Sequence, residues 1–473
     1  MSALASERVI SRSNPFMWLL IGTVACGPPA FATDGYFDPT WAGGGHITFA
    51  ADFHNPSYGT WARQIVVKSN GNLLLGGVVN APGNQYWWIG ELKPDGTPVL
   101  TFGESNGTGL VTGCHLSANL CTNGFSAFGL ESDGRIAVLG ATQLVRTTAD
   151  AHALDVAGVA GGLGYVPMPT QINNIQGRLT AGRALARASS GNGKWLVGGE
   201  GYYSPATSSN LDYAVVRFNA DLSLDPTFNA VTDGNNITFA GGALVAFDLG
   251  TDNYDNATAT LVQTDDRIVL AGSATTSVSY GLALTRLSTN GALDLSFGGS
   301  GTGKILGPAR SPTSVITDRA GRMLITLGDL MTVTRVHGDG TPDLSFATEG
   351  VSTETPGSCT QPARAEAVAL DSAGRILIVG ECAIDDTVVA FLVERLFGDD
   401  GSLDTTFGID GFGYGAYNAA NVQNVAFAVA FDAGGRPIVG GASNSKVGIA
   451  RLTYDLVFTN NFEIVPPGRL PSQ

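Results

Sequence analysis

The residues best equipped for chemistry in this chain are five histidines, His46, His54, His115, His152 and His337, and the cysteines Cys114, Cys121, Cys359 and Cys382. No two histidines stand at an H-x-x-x-H spacing and no cysteines at C-x-x-C. Neither a zinc centre nor a thioredoxin-type redox site is therefore expected. No G-x-S-x-G nucleophile motif occurs either. Hard oxygen ligands crowd one loop, Asp252-Asn253-Tyr254-Asp255-Asn256, which makes Asp252 and Asp255 the candidate pair for Ca²⁺. The spacing is not that of an EF-hand, and Asx-rich loops commonly just turn the chain. Beyond that loop, no metal or cofactor is expected from local spacing.

What must position these residues is a phrase that returns about every sixty residues. A strand, a D-G-type turn and a second strand ending in Gly are followed by R-φ…D-G-x-L-D-x-x-F-G. The phrase is plainest at Ser372–Gly380 followed by Glu394–Gly408. The first turn recurs at Gly71, Gly134, Gly193, Asp266, Gly321, Gly374 and Gly435. The D-x-x-F anchor recurs at Asp38/Trp41, Val99/Phe102, Asp155/Gly158, Asp225/Phe228, Asp294/Phe297, Asp343/Phe346 and Asp404/Phe407. Both anchors count seven, and each unit holds four short β segments. Radial repetition of such units predicts an all-β, seven-bladed β-propeller of four-stranded antiparallel blades.

The chain opens with the end of a repeat, Phe37–Phe49, and closes after the third segment of another, Val447–Leu452. The N-terminal strand is thus expected to complete the last blade, although Asp455–Phe458 also matches D-x-x-F and offers a rival outer strand. These residues resemble the delta-60 repeat, a β-propeller repeat of exported bacterial proteins, over about Phe37–Phe458. The resemblance implies the fold and carries no activity.

Arginine recurs on the third strand as Arg146, Arg217, Arg286, Arg335, Arg395 and Arg451, and an Asp follows the first five after eight or nine residues. In the first unit Glu91 replaces the Arg and Val99 the Asp. Joint loss is the behaviour of a buried ion pair, because either charge alone would be costly. These pairs read as scaffold.

In an up-and-down blade the a–b and c–d turns share one face of the disc. Here those turns are mostly short. The long segments, 51–62, 112–125, 200–212, 240–257, 352–364 and 413–423, fall on the other face and carry Tyr58, Trp61, Tyr202, Tyr203, Tyr254, Tyr414, Tyr417, Cys114, Cys121 and Cys359, and Cys382 maps to the same face. Tyr202, Tyr203, Asp252 and Tyr254 are the candidate ligand-binding residues, since function commonly sits on loops held by a rigid scaffold. An enzyme would instead need acids or histidines converging on the central tunnel. The innermost segments offer few beyond Glu131, Asp318 and Asp432.

Arg8 and Arg12 precede the apolar run Phe16–Ala25, and Ala30-Phe31-Ala32 fits signal cleavage. Residues 1–32 read as a signal peptide, 33–458 as the propeller and 459–473 as a flexible tail. A lipid anchor at Cys26 fits poorly, because Thr23 heads its cleavage box. The whole chain carries a net charge of −15. Cleavage removes two positive charges and one negative, so the mature chain repels nucleic acid and anionic lipid. An even set of cysteines in an exported chain predicts two disulfides. Of three pairings, proximity favours Cys114–Cys121 and Cys359–Cys382. The expectation is a monomeric, non-enzymatic exported scaffold that binds a glycan or protein through its long-loop face. The rival is a propeller hydrolase, lactonase-like enzyme or quinone-dependent dehydrogenase with its site in the tunnel.

Overall fold

The computed structural model describes residues 35–454 except 53, 105–106, 170–177, 189–192, 203–210, 229–237, 240, 248–253, 276–279, 329 and 416–422, and beyond these 457–458 and 464–465. The proposed signal peptide and Cys26 lie outside them. Seven antiparallel sheets form the blades, six of four strands and one of five. The innermost strands are Gly59–Val67, Phe125–Leu130, Arg178–Arg187, Asn256–Val262, Pro312–Thr317, Arg364–Leu370 and Asn424–Phe431, and they define blades 1 to 7. Each touches the next, and the last touches the first. The extra strand, Thr238–Phe239, edges blade 3.

The N-terminal strand closes the ring. His46–Phe49 pairs with Lys446–Arg451 in the register His46↔Ala450 to Phe49↔Val447, as the outer strand of blade 7. The rival strand does not compete, because Val457–Phe458 pairs with Ile464–Val465.

The repeat phrase is explained by two packing relations. Second strands such as Ile268–Thr275 are buried along their whole length, because a middle strand is covered by a neighbouring blade on each side. Hence the unbroken apolar runs. The D-x-x-F aromatic is buried between blades and packs against the c–d turn of the next one. A Cβ added to Gly291 would sit 2.8 Å from the Phe228 ring, and one added to Gly340 2.7 Å from Phe297. Both glycines have φ near +90°, so each serves its turn and makes room for the neighbouring blade's aromatic.

Candidate functional site

The short-turn face is occupied by a repeated ion-pair network. Arg Nε donates to Asp Oδ2 at 2.9 Å in Arg146–Asp155, 2.7 Å in Arg217–Asp225, 2.8 Å in Arg286–Asp294, 2.7 Å in Arg335–Asp343 and 2.8 Å in Arg395–Asp404. Four of these Asp residues also accept from the residue two places on, and Asp155 from the Gly158 amide at 3.0 Å. The Ser296 amide and hydroxyl donate to Asp294 at 3.1 and 2.6 Å. The guanidinium lies over the repeat aromatic, 4.8 Å from the Phe297 centroid for Arg286. It then reaches across the blade boundary, donating at 2.6 Å from Arg286 to Gly338 O and at 2.6 Å from Arg217 to Thr289 O. In blade 1, Glu91 accepts instead from Lys68 at 2.9 Å and Asn72 at 2.6 Å.

Clefts of about 420, 450 and 170 Å³ line this face between blades 3 and 4, 4 and 5, and 5 and 6. Recurrence at equivalent places marks them as a product of the repeat. The three acids singled out on the innermost segments belong here too. Glu131 meets Arg135 at 3.2 Å, Asp318 meets Arg322 at 2.6 Å and Asp432 meets Arg436 at 2.9 Å.

The tunnel wall is built differently. Every innermost strand is interrupted by a bulge at the same level, where the displaced residues are Arg63, Ser126, Arg183, Thr258, Thr313, Glu366 and Phe427, and blade 3 has a second shift between Leu179 and Ala181. The bulge explains the Gly that recurs in the second strand. A Cβ at Gly77, Gly272, Gly380 or Gly441 would lie 1.9, 1.9, 1.7 or 1.8 Å from a carbonyl oxygen of the bulged strand. Bulges re-aim side chains. In three blades a hydroxyl uses this to tie the ring, Ser126 donating to Gly182 O at 2.8 Å, Thr258 to Pro312 O at 3.3 Å and Thr313 to Ala365 O at 3.1 Å.

Blades 6, 7 and 1, which are neighbours, break this pattern with Glu366, Phe427 and Arg63. The Arg63 guanidinium lies 3.9 Å from the Phe427 centroid. Burial raises the Glu366 pKa, with the charge of Arg63 opposing it. Arg63 is solvent-exposed, yet desolvation lowers its pKa. Arg183, the bulge residue of blade 3, meets Glu200 at 3.1 Å.

On the long-loop face, Tyr254 bridges to Leu211 and is partly exposed. Its pKa is raised by burial and then by the nearby Glu200 carboxylate. Tyr280 is 54% exposed and acts electrostatically on Tyr254. Tyr203 and Asp252 lie outside the described residues, and Tyr202 is described only as the end of the strand Trp195–Tyr202. Asp255 faces inward. It is fully buried and accepts from the Phe247 amide at 2.8 Å and the Thr275 amide at 3.2 Å, which fixes the connection between blades 3 and 4. Cys114–Cys121 and Cys359–Cys382 are both disulfides, with Cα atoms 4.1 and 5.4 Å apart.

Two histidines that look unrelated in sequence meet at the rim of blade 1. His54 Nε2 and His115 Nε2 stand 3.1 and 3.4 Å from the same Glu104 Oε2. No local spacing announces this group, because its members come from the connections on either side of blade 1 and from the approach to its outer strand.

Among the described residues no helix is long and apolar enough to cross a membrane. The model of a family described as a domain of unknown function (DUF5122) beta-propeller matches residues 191–228 and 263–297. No curated protein matches the chain. Among solved structures the chain is similar to virginiamycin B lyase from Staphylococcus aureus at 11% identity, covering 87% of this chain and 98% of that one with a TM-score of 0.42. It is similar to YCF48 from Cyanidioschyzon merolae at 10%, covering 86% and 98% with a TM-score of 0.43. It is also similar to Sqt1 from Chaetomium thermophilum at 10%, covering 86% and 98% with a TM-score of 0.46. This chain is a seven-bladed β-propeller.

Proposed function

We propose that the protein is an exported, non-enzymatic scaffold that binds a glycan on its long-loop face, at the mouth of the central tunnel. The observation that carries this reading is the broken bulge ring. Three adjacent blades spend a scaffold position on Glu366, Phe427 and Arg63, where three others place a hydroxyl that ties the ring. Charged donors and acceptors beside flat aromatic rings suit a sugar, whose hydroxyls need partners while its C–H faces pack on π-systems. Arg183, Glu200, Tyr254 and Tyr280 extend the same chemistry across blades 3 and 4. Two disulfides and the signal-like N-terminus fit an oxidising compartment.

The test is a glycan screen on the chain from residue 33 onward, followed by Arg63→Ala and Glu366→Gln. Binding lost in both variants at unchanged melting temperature supports the reading. If only a protein partner is captured, or if both variants bind as the parent does, the glycan assignment fails.

A further inference from the structure

We propose that His54, Glu104 and His115 form a binding site for a divalent first-row metal ion of the Zn²⁺ type, with three protein ligands and one position open to solvent. Their ligand atoms all lie within 4.8 Å of one another. Around a tetrahedral Zn²⁺ with bonds of about 2.0–2.1 Å, neighbouring ligand atoms stand about 3.3–3.4 Å apart. The observed Nε2–Oε2 separations are 3.1 and 3.4 Å. Two edges of the polyhedron are therefore already in place, and an ion needs little more than small side-chain rotations. The imidazole rings lie nearly parallel, 10° apart with centroids at 5.1 Å, and both Nε2 atoms face the same oxygen.

The surroundings hold the ligands as a metal site requires. Asp52, 2% exposed, accepts the backbone N–H of His54 at 2.9 Å and of Asn55 at 3.1 Å, and is itself gripped by the Tyr86 hydroxyl. Thr112, 3% exposed, accepts the His115 amide at 3.3 Å. The Cys114–Cys121 disulfide fixes the chain next to His115. The Glu104 side chain is 5% exposed, while those of His54 and His115 are 49% and 47% exposed. A cavity of about 220 Å³ opens beside the two rings. The ion would thus rest on a buried carboxylate with its free position turned to water or to a ligand donor atom. Two imidazoles with one carboxylate favour Zn²⁺ over Ca²⁺ or Mg²⁺, which prefer all-oxygen shells. This site does not depend on the glycan reading.

The experiment is calorimetric titration of the chelator-treated protein, from residue 33 onward, with ZnCl₂, backed by the visible spectrum with Co²⁺. One ion per chain is expected. His54→Ala, His115→Ala and the isosteric Glu104→Gln should each weaken it more than about 10-fold, since even outer-shell changes cost that much. His337→Ala should bind as the parent does. Both histidines are half exposed, so their variants should fold, and circular dichroism verifies it. Absence of stoichiometric binding, or binding that survives both His54→Ala and His115→Ala, overturns the proposal.

Discussion

Arg451 Nε donates to Asp38 Oδ2 at 2.9 Å, joining residues 413 positions apart with the same bond that other blades make over eight or nine. The joint is completed by Trp41, whose indole N–H donates to Pro94 O at 2.9 Å in the c–d turn of blade 1. Ring closure therefore uses ordinary repeat chemistry with its halves at opposite ends of the chain. Both side chains are 7% exposed, and breaking a buried pair costs about 3–5 kcal/mol. Arg451→Ala should lower denaturant stability by that order, and deleting residues 35–50 should lower it further by leaving an open sheet edge. Unchanged unfolding curves would contradict the closure.

The same network sets an acid limit. For Asp294, burial opposes ionisation, but hydrogen bonds from Ser296 and the charge of Arg286 overcome it and hold the pKa down at about 2. Asp343 is likewise lowered to about 2, with Ser345 and Arg335 overcoming burial. A carboxyl titrating near 3.9 in the unfolded chain then stabilises the fold above that pH, and the stabilisation is lost as pH falls toward about 2. Stability should drop between about pH 4 and pH 2. Asp294→Asn should shrink that drop, as measured by denaturant titrations across the window.

Glu394 predicts the opposite slope. It is fully buried, neither carboxylate oxygen has a hydrogen-bond partner among the described residues, and burial followed by the charge of Glu354 raises its pKa well above the usual range. Its contribution is fully present below the unfolded value of about 4.3 and is lost as pH rises toward the raised folded value. The loss approaches about 1.4 kcal/mol per pH unit. Glu394→Gln should remove this decline, so the variant should outlast the parent at alkaline pH. Parallel slopes for the two proteins would refute the assignment.

The bulge ring can be tested through the glycine that permits it. A Cβ at Gly380 would meet Arg364 O at 1.7 Å, whereas one at Gly357 meets nothing within 4 Å. Gly380→Ala should cost about 3 kcal/mol or more by overpacking, and Gly357→Ala should be close to neutral. Equal melting temperatures for the two variants would count against the bulge.

Much of this was legible in the sequence because the repeat writes it locally. Blade number, the Arg286–Asp294 type of pair, the loss of both partners at Glu91/Val99 and the two disulfides all follow from short spacings. The Gly of the second strand was visible as a recurring letter, but its reason was not. A bulge is a property of register between two strands, and no periodicity reveals which residue it displaces. Arg63, Glu366 and Phe427 were therefore unremarked. Asp38 was visible as a repeat anchor, but not as the partner of Arg451. His54, Glu104 and His115 meet only because two inter-blade connections converge on one rim.

The central claim, binding at the long-loop mouth of the tunnel, is tested most directly by hydrogen exchange with and without the glycan found in the screen. The account predicts slower exchange in the innermost strands Gly59–Val67, Arg364–Leu370 and Asn424–Phe431 and in the connections around Tyr254. The short turns at Gly134, Gly321 and Gly374 should be unchanged. Protection confined to those turns, with the innermost strands unaffected, would contradict it.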